Sequence, residues 1–402
     1  MTVNITSIKT SSDGAWKGDN PLNYAFPLLI LQTTFVLFIT RFLSLLLKPL
    51  RQPKVIAEIL GGILLGPSAL GRNKEFMQVL FPSWSTPILE SVANVGLLFF
   101  LFLVGLELDL ATIRRSGKRA FSIALAGISL PFLFGAAFSL LLRKVINGED
   151  RVEYGQYIIF IGISFSITAF PVLACILAEL KLINTQVGQT AMAAAAFNDV
   201  AAWILLALAV ALAETSTETH QSSKLISVWV LISGVGFLVF MVVVVRQVMK
   251  WVARHCSNIN TYIWVSLGGV MLSGFMTELI GIHAIFGGFV FGLSIPKDDG
   301  DLAEKVRERI EDLVSCLLLP LYFASSGLKT DVTKIQGAAA WGLLVMMIVT
   351  VSVGKIFGTF MAALLCKIPP RDSLALGVLM NTKGLVELIV LNIGKEKKAK
   401  MS

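Results

Sequence analysis

Apolar stretches of spanning length, each holding at most a charge or two, recur along this chain and leave it one solvent in which to fold. Residues 25–47 contain Arg41 as their single charged residue, 191–213 contain Asp199, and 337–365 contain Lys355. A bilayer core of about 30 Å is crossed by about 20 such residues as a helix. Inside it every backbone N–H and C=O must be bonded within the chain, so the segments are helical. Soluble domains are about 45–50% apolar and about a quarter charged. Here 55% of residues are hydrophobic, 15% are charged and the mean hydropathy is +0.78. A chain of 402 residues cannot bury that excess in a water-soluble core. The expected fold class is an all-α polytopic membrane protein.

Twelve spans are predicted, near 25–47, 54–70, 88–106, 119–142, 156–180, 187–213, 225–249, 261–279, 281–295, 310–328, 337–365 and 373–393. The second and ninth are short and glycine-rich. The net charge of +8 does not point to nucleic acid, because the Lys and Arg residues fall in short clusters between apolar runs. With the N-terminus outside, the cytoplasmic loops hold 17 positive residues, among them Arg114, Arg115, Lys250, Lys305 and Arg307, against about ten opposite. That orientation places the sequon Asn4-Ile5-Thr6 on the lumenal or exterior side. No signal peptide is read in the polar residues 1–24, and Cys175, Cys256, Cys316 and Cys366 lack disulfide or metal spacing.

Internal repetition organises the spans. Gly61-Gly62-x-x-x-Gly66 returns as Gly287-Gly288-x-x-x-Gly292, an offset of 226. Gly105-Leu106-x-x-Asp109 returns as Gly327-Leu328-x-x-Asp331, an offset of 222. Thr168 before Pro171 corresponds to Thr382 before Lys383-Gly384, an offset of 214. Each pair lies seven spans apart, and an odd separation reverses direction across the membrane, so inverted repeats are expected. The reading divides the chain into a polar segment 1–24, a transmembrane domain 25–395 and a short basic tail 396–402. Within the domain, a first repeat covers 25–213, a linker helix 225–249 and a second repeat 261–395. The partner of the sixth span would begin near residue 401, so the second repeat is expected to be incomplete and a thirteenth helix missing, as in a truncated or alternative product.

Intramembrane ionisable groups are costly and are functional candidates. Asp199 is the only charge in its helix, and Asn198 beside it offers an amide oxygen. A carboxylate with amide and backbone oxygens suits a hard monovalent cation. The same carboxylate can hold a proton instead, which is the minimal device for exchange. Lys355 lies too centrally to reach an interface and needs a partner, for which Asp199 is the expected one. Pro171 interrupts the fifth span, and Asn381-Thr382-Lys383-Gly384 interrupts the twelfth. Half-helices then meet at mid-membrane, with Thr168 and Thr382 supplying oxygens and Lys383 neutralising carbonyl ends. Glu107 is a weaker, modulating candidate. Asp109, Glu58, Glu278, His283 and Glu387 read as caps, packing groups or local pairs. No P-loop, nucleotide fingerprint, nucleophile–base set or metal cluster is present in the sequence, so neither an enzyme nor a bound cofactor is expected.

These residues carry a resemblance. The stretches 51–58 (RQPKVIAE), 66–68 (GPS), 97–107 (LLFFLFLVGLE), 166–174 (SITAFPVLA), 196–203 (AFNDVAAW) and 381–388 (NTKGLVEL) resemble the plant cation/H⁺ exchanger family of the monovalent cation:proton antiporter-2 group. The resemblance implies a sodium/proton-antiporter-like fold with two interrupted crossing helices beside a dimerisation bundle. It implies exchange of K⁺, or sometimes Na⁺, for H⁺ by a homodimer in an endosomal, prevacuolar or plasma membrane. It carries the cation/proton role to Asn198 and Asp199, the core lysine to Lys355, the helix breaks to Pro171 and Lys383, and an activity role to Glu107. Two other functions fit the same residues: a non-transporting subunit that dimerises with longer relatives, and a solute symporter of the same crossed-helix fold.

Overall fold

The computed structural model describes residues 9–50, 52–107, 110–145, 154–214, 223–255, 259–296, 302–334 and 337–383. Asn4, Asp109, Gly384 and Glu387 lie outside them. The described residues form helices and connecting turns: α1 (Ala25–Leu47), α2 (Lys54–Leu65), α3 (Lys74–Leu80), α4 (Thr86–Glu107), α5 (Leu110–Val145), α6 (Tyr154–Ser166), α7 (Phe170–Glu179) and α8 (Gln186–Glu214). These are followed by α9 (Ser223–Phe240), α10 (Arg246–His255), α11 (Ile259–Ile280), α12 (Ala284–Ser294), α13 (Leu302–Leu313), α14 (Leu319–Leu328), α15 (Ala338–Leu365) and α16 (Pro370–Met380). One π-helical turn, Met241–Val245, joins α9 to α10, and another, Val314–Leu318, joins α13 to α14.

Among the described residues, eight helices are long and apolar enough to cross a membrane. The four expected spans outside these eight are the two interrupted ones, the short glycine-rich ninth and the one that carries Asp199. Three of those four depart from the simple apolar helix because the backbone breaks or shortens there. Large apolar side chains face outward on the long helices, with Phe38 71%, Trp264 80% and Leu365 81% exposed. Such faces are at home against lipid tails.

The chain divides into two compact units, residues 1–100 with 304–336, and residues 101–303 with 337–402. In the first, α1, α2 and α14 pack together over Val36, Leu65, Leu89, Ala93, Leu321 and Ala324. Ser68 fastens the ends of α2 and α14: its Oγ donates to the Thr330 carbonyl at 2.9 Å and accepts the Val332 N–H at 3.0 Å. In the second unit α5 packs on α6, α8 and α15, α11 packs on α12, and α16 and α7 both reach α8.

Each unit contains a helix crossing built on glycine. In the first, a Cβ at Gly327 would lie 2.2 Å from the Ile59 carbonyl oxygen and 2.8 Å from the Gly62 Cα. In the second, a Cβ at Gly105 would lie 2.3 Å from the Phe289 carbonyl oxygen and 3.1 Å from the Gly292 Cα. Gly105 and Gly327 correspond as the sequence offset says, but the facing partners are Gly62 and Gly292, one helical turn beyond the match of Gly62 with Gly288. A GGxxxG pattern carries glycine on the same face at successive turns, so sequence spacing alone does not choose between the two registers. Gly327→Ala forces backbone against backbone and should cost about 1–3 kcal/mol or more. Gly342→Ala on α15, where an added Cβ meets nothing within 4 Å, should be neutral or slightly stabilising. Thermal midpoints of the two variants in detergent check the contrast.

Candidate cation and proton site

α6 stops at Ser166, residues 167–169 are non-helical, and α7 starts at Phe170 with Pro171 in its first turn. Proline at that position has no N–H to lose and a φ suited to starting a helix, whereas continuing α6 through it would clash with the preceding turn. The last carbonyls of α6 therefore have no N–H one turn ahead to bond.

Groups distant in sequence take those carbonyls. Lys383 Nζ donates to the carbonyls of Ile167 at 2.9 Å, Phe165 at 3.0 Å and Ser164 at 3.4 Å. Lys355 Nζ donates to the Ser166 carbonyl. Asn198 Nδ2 donates to the same Ser166 carbonyl at 3.2 Å, while Asn198 Oδ1 accepts the Thr168 N–H at 2.9 Å. One amide thus bridges both sides of the break. Two ammonium groups oppose the negative end of the α6 dipole, the sign that a helix C-terminus favours.

The second break meets the first. α16 ends at Met380, whose carbonyl accepts Thr168 Oγ1–H at 3.2 Å, and the Thr382 carbonyl accepts the Ala169 N–H at 2.9 Å. Asn381 Nδ2 donates to Ser352 Oγ on α15, one turn before Lys355, at 3.2 Å. Thr168, Asn198 and Lys355 are each 0% exposed, and Asp199, next to Asn198 on α8, is 3% exposed. The crossing therefore gathers Thr168, Asn198, Lys355 and Lys383 into one bonded cluster, with the Asp199 carboxylate carried on the helix that bridges it. Two participants escaped sequence reading. The Ser166 carbonyl is backbone and has no side-chain signal. Ser352 could have been found by helical spacing from Lys355.

Glu107 lies at the C-terminal end of α4, where Asn184 Nδ2, from the turn between α7 and α8, donates to its Oε1 at 3.3 Å. Glu58 is buried in α2, in the first unit. Glu278 and His283 cap α12: Glu278 Oε2 accepts the Ala284 N–H at 2.8 Å, and His283 Nδ1 accepts the Ile285 N–H at 3.4 Å.

A helix interrupted within an apolar bundle, with the end of another helix meeting it at the break, belongs to a fold of the secondary-transporter class. The profile of the sodium/hydrogen exchanger, transmembrane, family matches residues 34–401, and the chain belongs to that family. It is an integral, multi-pass membrane protein. Cation/H(+) antiporter 20 of Arabidopsis thaliana is 64% identical over 406 residues, which cover 99% of this chain and 48% of that protein. Na(+)/H(+) antiporter NhaS4 of Synechocystis sp. is 36% identical, over 91% of this chain and 89% of its own length. The solved structure of the sodium proton antiporter MjNhaP1 from Methanocaldococcus jannaschii shares the fold, with a TM-score of 0.64 at 18% identity over 93% of this chain and 88% of that one. The chain spans about half the length of the Arabidopsis relatives it matches, 48% for each of the first two.

Proposed function

We propose that this chain exchanges a monovalent cation for protons, with Asp199 as the group that carries both in turn. The observation that supports this reading most is the crossing itself. Lysine and asparagine side chains hold the carbonyl end of α6, and the Thr168 hydroxyl holds that of α16, in the apolar bundle beside a buried carboxylate. Cation and proton compete for that carboxylate, so occupancy by one requires release of the other. Lys355 serves as its charge partner when no cation is bound, and Asn198 and Thr168 hold the oxygen frame around it. Pro171, Lys383 and Gly384 maintain the breaks, and Glu107 modulates from the end of α4.

K⁺ is the first candidate because the sequence motifs resemble a K⁺/H⁺-exchanging family. Na⁺ is the second, since NhaS4 is named a Na⁺/H⁺ antiporter. The energy comes from an ion gradient, so the transported ions replace any cofactor. The proposed assembly is a homodimer in an endomembrane or the plasma membrane. Flux of K⁺, Na⁺ and Rb⁺ in proteoliposomes across an imposed pH gradient tests the reading. Cation movement that reverses with the gradient is expected. Flux indifferent to the gradient, or dependent on an organic anion, would overturn it.

A further inference from the structure

The break in α16 differs from the break between α6 and α7 in how its polar atoms are used. Around the first, Thr168 is fully engaged: its N–H bonds Asn198 Oδ1, and its hydroxyl bonds the Met380 carbonyl. Around the second, the backbone is engaged but the side-chain oxygens are not. The Asn381 and Thr382 N–H groups close the end of α16 on the Val378 and Leu379 carbonyls, at 3.1 and 3.4 Å. Asn381 Nδ2 bonds Ser352 Oγ, and in that amide orientation Asn381 Oδ1 points elsewhere. Asn381 Oδ1 and Thr382 Oγ1 are both buried, and neither has a hydrogen-bond partner among the described residues.

Leaving a buried polar atom unsatisfied costs about 1–3 kcal/mol, so two on consecutive residues call for an explanation. Donors already bonded nearby do not supply one. Lys383 Nζ is placed on the carbonyls at the end of α6, and Asn198 Nδ2 is on the Ser166 carbonyl. An amide oxygen and a hydroxyl oxygen on consecutive residues, at a helix end whose dipole is negative, favour a positively charged visitor. Neutral oxygens of this kind replace the hydration shell of an alkali cation in ion-conducting proteins.

We infer that Asn381 Oδ1 and Thr382 Oγ1 form a second station for the exchanged alkali cation, at the break of α16. The station rests on the reading of Asp199 as the carrier and adds to it a pair of uncharged ligands from the other interrupted helix. A cation leaving Asp199 passes to oxygens that hold it without a counter-charge, which keeps the proton-binding carboxylate free to be refilled.

The test is a K⁺ titration of the purified intact chain in detergent with choline as the balancing cation, read as the rise in thermal midpoint. It requires no transport. Thr382→Val and Thr382→Ala change the local volume in opposite directions but both remove the hydroxyl. Each should raise the half-saturating K⁺ concentration about tenfold, whereas Thr382→Ser should stay within about twofold of the parent. Asn381→Leu should follow Thr382→Val, and Ser352→Ala, which removes the amide's anchor but keeps its oxygen, should not. Half-saturation unchanged in Thr382→Val overturns the station. An equal shift in Thr382→Ser would also overturn it, because packing would then be the cause. Asp199→Asn in the same assay separates the two readings: if it keeps the K⁺ response while Thr382→Val loses it, Asp199 is not the carrier and the station stands alone.

Discussion

Asp199→Asn is expected to abolish pH-driven cation exchange while leaving the protein folded. The carboxamide keeps the size and most of the hydrogen-bonding surface of the carboxylate, and its neighbour Asn198 still bridges the Ser166 carbonyl and the Thr168 N–H. What disappears is the negative charge that balances a cation in the proposed exchange, together with the basic oxygen that would accept the proton. Removing one member of a buried charge pair typically costs about 3–5 kcal/mol, and for the proposed Asp199–Lys355 pair that is a loss of about two to four orders of magnitude on the transport step. Flux of K⁺ and Na⁺ in proteoliposomes, normalised to folded protein by size-exclusion chromatography, checks it. Retained exchange in this variant would remove Asp199 as the carrier. An unfolded protein with Asp199→Asn, rescued by Asp199→Glu, would instead identify the carboxylate as structural.

Lys383→Met should produce the largest loss of stability among single substitutions at the crossing. The methionine keeps most of the apolar length of the lysine but withdraws the ammonium from the carbonyls of Ser164, Phe165 and Ile167. Hydrogen bonds to charged groups contribute about 1.5–3 kcal/mol each, so losing them and leaving the carbonyls buried should cost several kcal/mol. Lys383→Arg should recover part of that loss, since guanidinium retains the charge but presents its donors in a fixed plane instead of a compact cluster. Asn198→Ala should cost less, because Lys355 continues to serve the Ser166 carbonyl. Thermal midpoints in detergent rank the three. A midpoint for Lys383→Met equal to that of the parent would show that the ammonium does not hold the break.

The membrane class, the helical content and the two interruptions were readable in the sequence because each has a local cause. Apolar runs of spanning length admit no other backbone, and Pro171 cannot continue α6. The register of the glycine crossings was readable only to within a turn, since Gly62 and Gly66, like Gly288 and Gly292, repeat on one helical face. Asp199 and Lys355 stood out as charges in apolar helices, which is a property of composition. That Lys355 donates to the Ser166 carbonyl was not readable, because a backbone acceptor carries no residue-type signal.

From composition and local spacing alone, the chain was bound to be a polytopic helical protein with broken helices and a buried carboxylate. Which groups repair the breaks was left to the tertiary structure. Lys383 and the Ser164 carbonyl it reaches are 219 residues apart, and Lys355 and the Ser166 carbonyl are 189 apart. No local propensity extends that far. The pairing is decided when the helices pack, because every carbonyl left open by a broken helix in an apolar interior must find a donor there, and the neighbouring helices carry it.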